Sequence, residues 1–318
     1  MSEIISSFSI NGRITLNLHA LNNEGGEGNQ LLTRQVTIID SDGNPVSVNA
    51  VSGDMLKHIQ AEHLYNIAKE LKLSMCSSCS IFNANRITAD SNFTGKFTSG
   101  TPSSEVLDLM LNTCAVDDLE GILITNHNQN VPRKSVAEFG WLVGIPDKNK
   151  SENYFHVKFD SGSRNAENED AGANLGQIPF HRPANSGVYA LVANFDVCRI
   201  GYNDISKNYP IDDYTRKARY LAFLKSILYT FIKPLGAHRN TQNPHITNFS
   251  GVITYSINSI PAPTISPLNP NYLEEIENIV NTLNGLQSKS ITMIKFSDMS
   301  EFAQEMAKII QRSEPLKL

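Results

Sequence analysis

The stretch VSGDMLKHIQAEHL, residues 51–64, reads as the opening of an amphipathic helix. Ser52 is a good N-cap, because its hydroxyl can accept from the free N–H groups of the first turn. Asp54 puts a carboxylate where the helix dipole is positive. Leu56, Ile59, Leu64 and Ile67 recur at helical spacing, so one face packs inward. Lys57 and His58 fall in the first two turns, beside exposed backbone donors. A helix start carrying a cation is a phosphate site, although a solvated Lys and His on an ordinary helix would look the same.

Upstream, residues 8–21 alternate Ile10, Ile14, Leu16 and Leu18 with Arg13, Thr15, Asn17 and His19, the signature of a strand with one buried and one polar face. The Gly- and Asn-rich run LNNEGGEGNQ follows, which we read as a connector or as backbone that approaches a ligand closely. Residues 33–40 predict another strand. Downstream, CSSC at residues 76–79 is half of a zinc site, with Cys114 as a third ligand and His63 or another residue as the fourth. Buried thiols are the rival account of the same cysteines. Asp117 and Asp118, read as neighbours on a strand, point to opposite faces and suit a cap or salt bridge rather than a catalytic pair.

Residues 135–145 predict a strand with Trp141, the sole tryptophan, in the core. In residues 148–183 two strand-like flanks enclose a polar, acidic, Gly- and Asn-rich tip, as a projecting β-hairpin would. A strand over 186–197 and a helix over 214–232 come next. From residue 214 to 250 there is no acid, while Arg216, Lys217, Arg219, Lys225, Lys233 and Arg239 are present with His238 and His245. That asymmetry predicts a polyanion-binding surface, with Gly236 and Arg239 in the loop after the helix suited to phosphate. A strand over 248–257, a Pro-rich linker, and helices over 272–286 and 300–312 around a short strand complete the chain.

Bulk properties bound the answer. The 318 residues are 40% hydrophobic and 19% charged, normal for a globular protein with a sizeable core. A net charge of −5 argues against indiscriminate coating of nucleic acid but not against a local basic groove. We expect no signal peptide and no membrane span, and four cysteines in so long a chain point to a reducing cytoplasm.

Together these elements form an α+β, RNA-recognition-type (ferredoxin-like) sandwich, heavily interrupted. In order and spacing, INGRITLNLHALNN with GNQ after it, VSGDMLKH, CAVDDLEGIL, SGVYAL and PLGAHRNTQNPH resemble the backbone subunit of type I CRISPR Cascade complexes. The similarity is to the DevR-type branch usual in type I-B systems, of the RAMP superfamily, and covers residues 10–256. The resemblance implies one elaborated domain: a core over 8–75, 115–147 and 184–257, an insertion over 76–114, a thumb over 148–183, and C-terminal helical elements over 258–318. It further implies a non-catalytic protein that polymerises along guide crRNA and presents it for pairing with target DNA, alongside copies of itself and other Cascade subunits. RNA would be held by Arg13, Asn17, Ser52, Lys57, His58, His238 and Arg239. The thumb would use Arg164, Gln177 and Phe180. No cofactor would be required, while the cysteine spacing, apart from the resemblance, leaves Cys76, Cys79 and Cys114 as candidate ligands of a structural zinc. Two other classes stand beside this one. Related ribonucleases cut with an aspartate in the loop after the first strand, whereas here that loop holds Glu24 and Glu27 and no aspartate. For a DNA-binding regulator, the sequence lacks a helix-turn-helix pattern.

Overall fold

The computed structural model describes residues 3–28, 30–159, 177–236, 239–287 and 290–318. Its central strand is β1 (Ser7–His19), the alternating run of the sequence. Phe8, Ile10, Ile14 and Leu16 lie in the main core. Between them Ser9, Asn11 and Arg13 face the other side, where they bond the carbonyls of Pro263 and Pro267. A period of two sorts one strand onto two faces.

Strands β2 (Gln35–Ile39) and β3 (Pro45–Val51) form a hairpin and lead into helix α1 (Gly53–Glu70). An insertion containing α2 (Ser103–Thr113) and α3 (Ala115–Glu120) follows. It has a hydrophobic core of its own, built on Phe93, Phe97, Leu107, Met110 and Leu111. The long strands β4 (Leu142–Phe159) and β5 (Gln177–Phe195) come next, then α4 (Asp213–Ile232) and β6 (His245–Ser256). The chain ends through α5 (Tyr272–Leu286), β7 (Ile291–Phe296) and α6 (Met299–Arg312).

The sheet runs β7-β6-β1-β5-β4-β3-β2, with each neighbouring pair antiparallel. Its inner part, β6-β1-β5-β4, joined through α1 and α4, is a strand–helix–strand–strand–helix–strand unit with the order 4-1-3-2. That is the ferredoxin-like arrangement expected from the sequence. Helices α1 and α4 lie on one face, tied by a buried hydrogen bond of 2.7 Å from Gln60 Nε2 to Ser226 Oγ. The opposite face of β1 and β6 is covered by residues 257–271 and α5, around a smaller core of Val252, Tyr272, Ile276, Val280 and Ile291.

Beyond the sheet body β4 and β5 continue as the legs of a hairpin, in unbroken register from Asn149 opposite Gly187 to Phe159 opposite Gln177. A buried polar knot holds its base. Asn185 donates to the His19 carbonyl and to Asn22 Oδ1 and accepts from Ser151 Oγ at 2.6 Å. Alongside, His19 Nε2 donates to the Tyr189 hydroxyl, which donates to Asn49 Oδ1, each at 2.8 Å. Burial pushes the His19 pKa down to about 3, so the ring is neutral and its Nδ1 accepts from Leu21 N–H.

Four local expectations are corrected. Asn23–Glu27 is a short strand, not a connector, paired with Gln30–Thr33 through Gly28 at φ +58°. Asp117 and Asp118 lie on a helix rather than a strand, because the run after Cys114 packs into the insertion and α4 on more than one side. Trp141 is 42% exposed, with the Arg34 guanidinium over its ring. The acid-free window is a basic surface only in part, because for three of its cations partners arrive from elsewhere in the chain. Arg216 is buried against the carbonyls of Cys198, Ile200, Pro315 and Leu316. Arg219 pairs with Asp118 at 2.8 Å, and Lys217 pairs with Glu314.

Candidate nucleic-acid interface

Helix α1 begins as its sequence requires: Ser52 is extended, and its hydroxyl accepts from Met55 N–H at 3.2 Å. Gly53 lets the helix start hard against the core, since a Cβ there would lie 2.4 Å from the Phe139 carbonyl oxygen. The first turns thereby face the insertion across a cavity of about 320 Å³. Asp54, Lys57 and His58 line it from α1, Phe82, Asn83 and Arg86 from the insertion, and Glu120 from α3.

The charges there are finely balanced. Burial pulls the Lys57 pKa down, opposed by Glu120. Burial also pushes the Glu120 carboxyl up to about 7, against the pull of Lys57 and Arg86, and neither of its oxygens makes a good hydrogen bond. Burial thus favours the uncharged form of both Glu120 and Lys57, and their mutual attraction opposes it. Arg86 is anchored to the Gly121 carbonyl through Nη2, while its Nη1 is buried with no hydrogen-bond partner among the described residues. Phe82 and Arg86 both take left-handed backbone conformations, φ +55° and +48°. Bulky side chains adopt these at a cost, and such strain concentrates at functional sites.

The loop after α4 closes one side of this region. Gly236, at φ +82°, sits so near His58 that a Cβ would lie 3.0 Å from Cδ2. Arg239 follows, its Nε donating to the Gly236 carbonyl. The next residues tie to the hairpin base: Arg182 Nη1 donates to Thr241 Oγ1, and Gln242 Nε2 to the Pro183 carbonyl. The fold therefore assembles Ser52, Lys57, His58 and Arg239 into one neighbourhood, next to the root of the hairpin.

Other expected site residues fall elsewhere. Arg13 does not line an open sheet face: Nε and Nη2 donate to the Pro267 carbonyl at 3.0 and 2.8 Å, and the guanidinium lies over the Tyr272 ring. It holds the linker and α5 on the sheet, a cover the alternation of β1 could not reveal. Among the described residues the half-buried Asn17 side chain reaches only Thr247 Oγ1, at 3.5 Å. His238 and Arg164 lie outside the described residues, as do residues 160–176 of the thumb segment. Gln177 is opposite Phe159 at the last described rung of the hairpin. Phe180 stacks on His156 and carries the Arg182 guanidinium on its ring. Sequence reasoning missed Phe82, Arg86, Glu120 and Arg182. Only tertiary packing brings them to α1 and to the loop, although the isolated cation in RITAD (residues 86–90) was a signal of the ordinary kind.

Below the cavity, with Cys79 in its wall, Cys76, Cys79, Cys114 and Asp117 are all buried, and their ligand atoms lie within 4.8 Å of one another. His63 is not among them, because its Nε2 is engaged by the Lys233 carbonyl at 2.8 Å. Asp117 takes the place left open in the sequence. Burial and the adjacent Cys114 thiol push its carboxyl up to about 8. Hydrogen bonds from Cys114 and Cys79 push the Cys76 thiol down, while those two thiols are pushed up. Cys198 lies apart and is also buried and free.

Over residues 10–277 the chain matches the family model described as CRISPR-associated negative auto-regulator DevR/Csa2. It is 24% identical over 290 residues to the CRISPR-associated protein Cas7/Cst2/DevR of Methanocaldococcus jannaschii, covering 87% of this chain and 89% of that one. A solved chain titled CRISPR RNA-guided surveillance complex, pre-nicking, aligns at a TM-score of 0.49 with 12% identity, covering 98% of this chain and 96% of that chain. Another, titled CRISPR RNA-guided surveillance complex, aligns at 0.49 with 13% identity and coverage of 96% and 98%. The match to the family model spans most of the sequence, and the chain belongs to the CRISPR-associated DevR/Csa2 family.

Proposed function

We propose that this protein is a non-catalytic backbone subunit of a CRISPR surveillance complex, binding guide crRNA through its sugar–phosphate chain. The observation that carries this reading is the convergence of Lys57, His58, Gly236 and Arg239 at the start of α1, beside the base of the long hairpin. A capped helix start offers N–H donors to a phosphate, and the neighbouring cations add charge without reading bases. Phe82, tilted against His58 with ring centroids 5.8 Å apart, gives the cavity a flat π surface that any base can meet. Backbone contacts of this kind suit a protein that must accept guides of every sequence. The hairpin serves as the thumb that engages a neighbouring copy, and target DNA and other subunits meet the assembled filament. Among the described residues, no helix is long and apolar enough to cross a membrane, in keeping with a cytoplasmic complex.

The test is RNA binding by Lys57→Gln and Arg239→Gln variants on several unrelated guide sequences over a range of salt. Each change should weaken binding to all guides alike. It should also flatten the slope of log K against log salt by about 0.7, the loss of one single-strand phosphate contact. Sequence-dependent loss, or unchanged affinity in both variants, would overturn the reading.

A further inference from the structure

We infer that Cys76, Cys79, Cys114 and Asp117 hold one zinc ion, which pins the insertion beneath the floor of the α1 cavity. Around a tetrahedral zinc, Zn–S bonds of about 2.3 Å and a Zn–O bond of about 2.1 Å put sulfur and oxygen about 3.6 Å apart. Cys76 Sγ and Cys79 Sγ lie 3.6 and 3.3 Å from Asp117 Oδ2. The whole set fits within 4.8 Å. That span suits a single ion, whereas an iron–sulfur cluster needs its ligands farther apart. Cys79 N–H also points at Cys76 Sγ at 3.2 Å, a bond that favours thiolate.

Buried thiols alone do not account for the fourth member. A carboxylate placed among three sulfurs in a dry core is costly unless a cation neutralises it. Among the described residues Asp117 Oδ1 has no hydrogen-bond partner, and its nearest cation, Arg86 Nε, is 3.8 Å away. A divalent ion removes that deficit. Three thiolates select a soft or borderline metal over magnesium or calcium, and a mixed sulfur–oxygen tetrahedron is met by zinc. On binding, the thiols release their protons to solvent. The ligands come from the segment after α1, from the end of α2 and from α3, so the ion ties three parts of the insertion together. Cys79 and Arg86 line the cavity above, and its shape depends on that tie.

Elemental analysis of the full chain, purified without added metal, should find about one zinc per chain, released when a mercurial reagent blocks the thiols. Exchange with cobalt(II) should give tetrahedral d–d bands and thiolate-to-cobalt charge transfer. Asp117→Cys should keep about one metal per chain and raise the charge-transfer intensity by about a third, as a fourth thiolate joins three. Folded wild-type protein with less than about a tenth of a zinc per chain, and no cobalt–thiolate band, would overturn the site. Iron in place of zinc would overturn the choice of metal. An unaltered cobalt spectrum in Asp117→Ala would remove Asp117 from the ligand set. None of these readouts involves RNA, so their failure is distinct from failure of the binding reading.

Discussion

Two adjacent aspartates show how far single residues could be read. On a strand, Asp117 and Asp118 would diverge by half a turn, with no further information about partners. On α3 they diverge by about 100°, and the insertion and α4 flank that helix. Asp117 faces the thiols. Asp118 accepts from Arg133 Nη2 at 2.6 Å, from Arg219 Nη1 at 2.8 Å and from Gly201 N–H at 3.0 Å. The CSSC spacing was legible because a short motif carries its own geometry. Its fourth partner was not, because His63 and Asp117 differ only in where the tertiary fold sends them. Asp118→Ala should be among the most damaging single changes. It leaves Arg133 and Arg219 buried without their shared carboxylate, at a cost of about 3–5 kcal/mol. Urea unfolding of the variant would show it. A loss under about 1 kcal/mol would mean that neighbouring carbonyls already satisfy both guanidinium groups.

At the scale of elements, regular structure was legible wherever periodicity was strong. Helix α5 matches the sequence boundaries, and α4 and α6 begin one residue earlier than expected. The hairpin was legible from its flanks, but the knot that holds it was not. Asn22, Asn49 and Asn185 look like ordinary polar residues until three separate segments bring them together. Because Asn185 serves partners from β1 to the hairpin leg, Asn185→Ala leaves several buried groups unsatisfied. We expect it to cost about 2–4 kcal/mol in denaturant unfolding, at about 1–3 kcal/mol per stranded group. Asn17→Ala, whose one contact is long, should stay within about 0.5 kcal/mol. Comparable losses in the two variants would contradict the view that the knot, rather than β1 as such, holds the hairpin in place.

For the whole molecule, the sequence carried the α+β class and the place of the helix start that organises the site. It did not carry the charge map. The acid-free run at residues 214–250 suggested a basic surface, yet Arg216 and Arg219 turn inward, and the acids that answer this region, Asp118 and Glu314, come from far along the chain. Lys57 and Arg86 instead meet at the cavity, and Arg239 lies in the α4 loop beside it. A protein so charged should bind RNA through repeated local contacts, copy upon copy, rather than by general attraction. The measurement that tests this most directly is native mass of the purified chain assembled on guide RNAs of increasing length, with nuclease footprinting of the same samples. The account predicts that subunits add in steps as the guide lengthens and that RNA protection is periodic. Deletion of residues 164–175 with a short Gly-Ser closure should leave a soluble monomer of unchanged thermal stability that forms no ordered oligomer. One copy per guide whatever its length, or normal periodic assembly by the deletion variant, would contradict it.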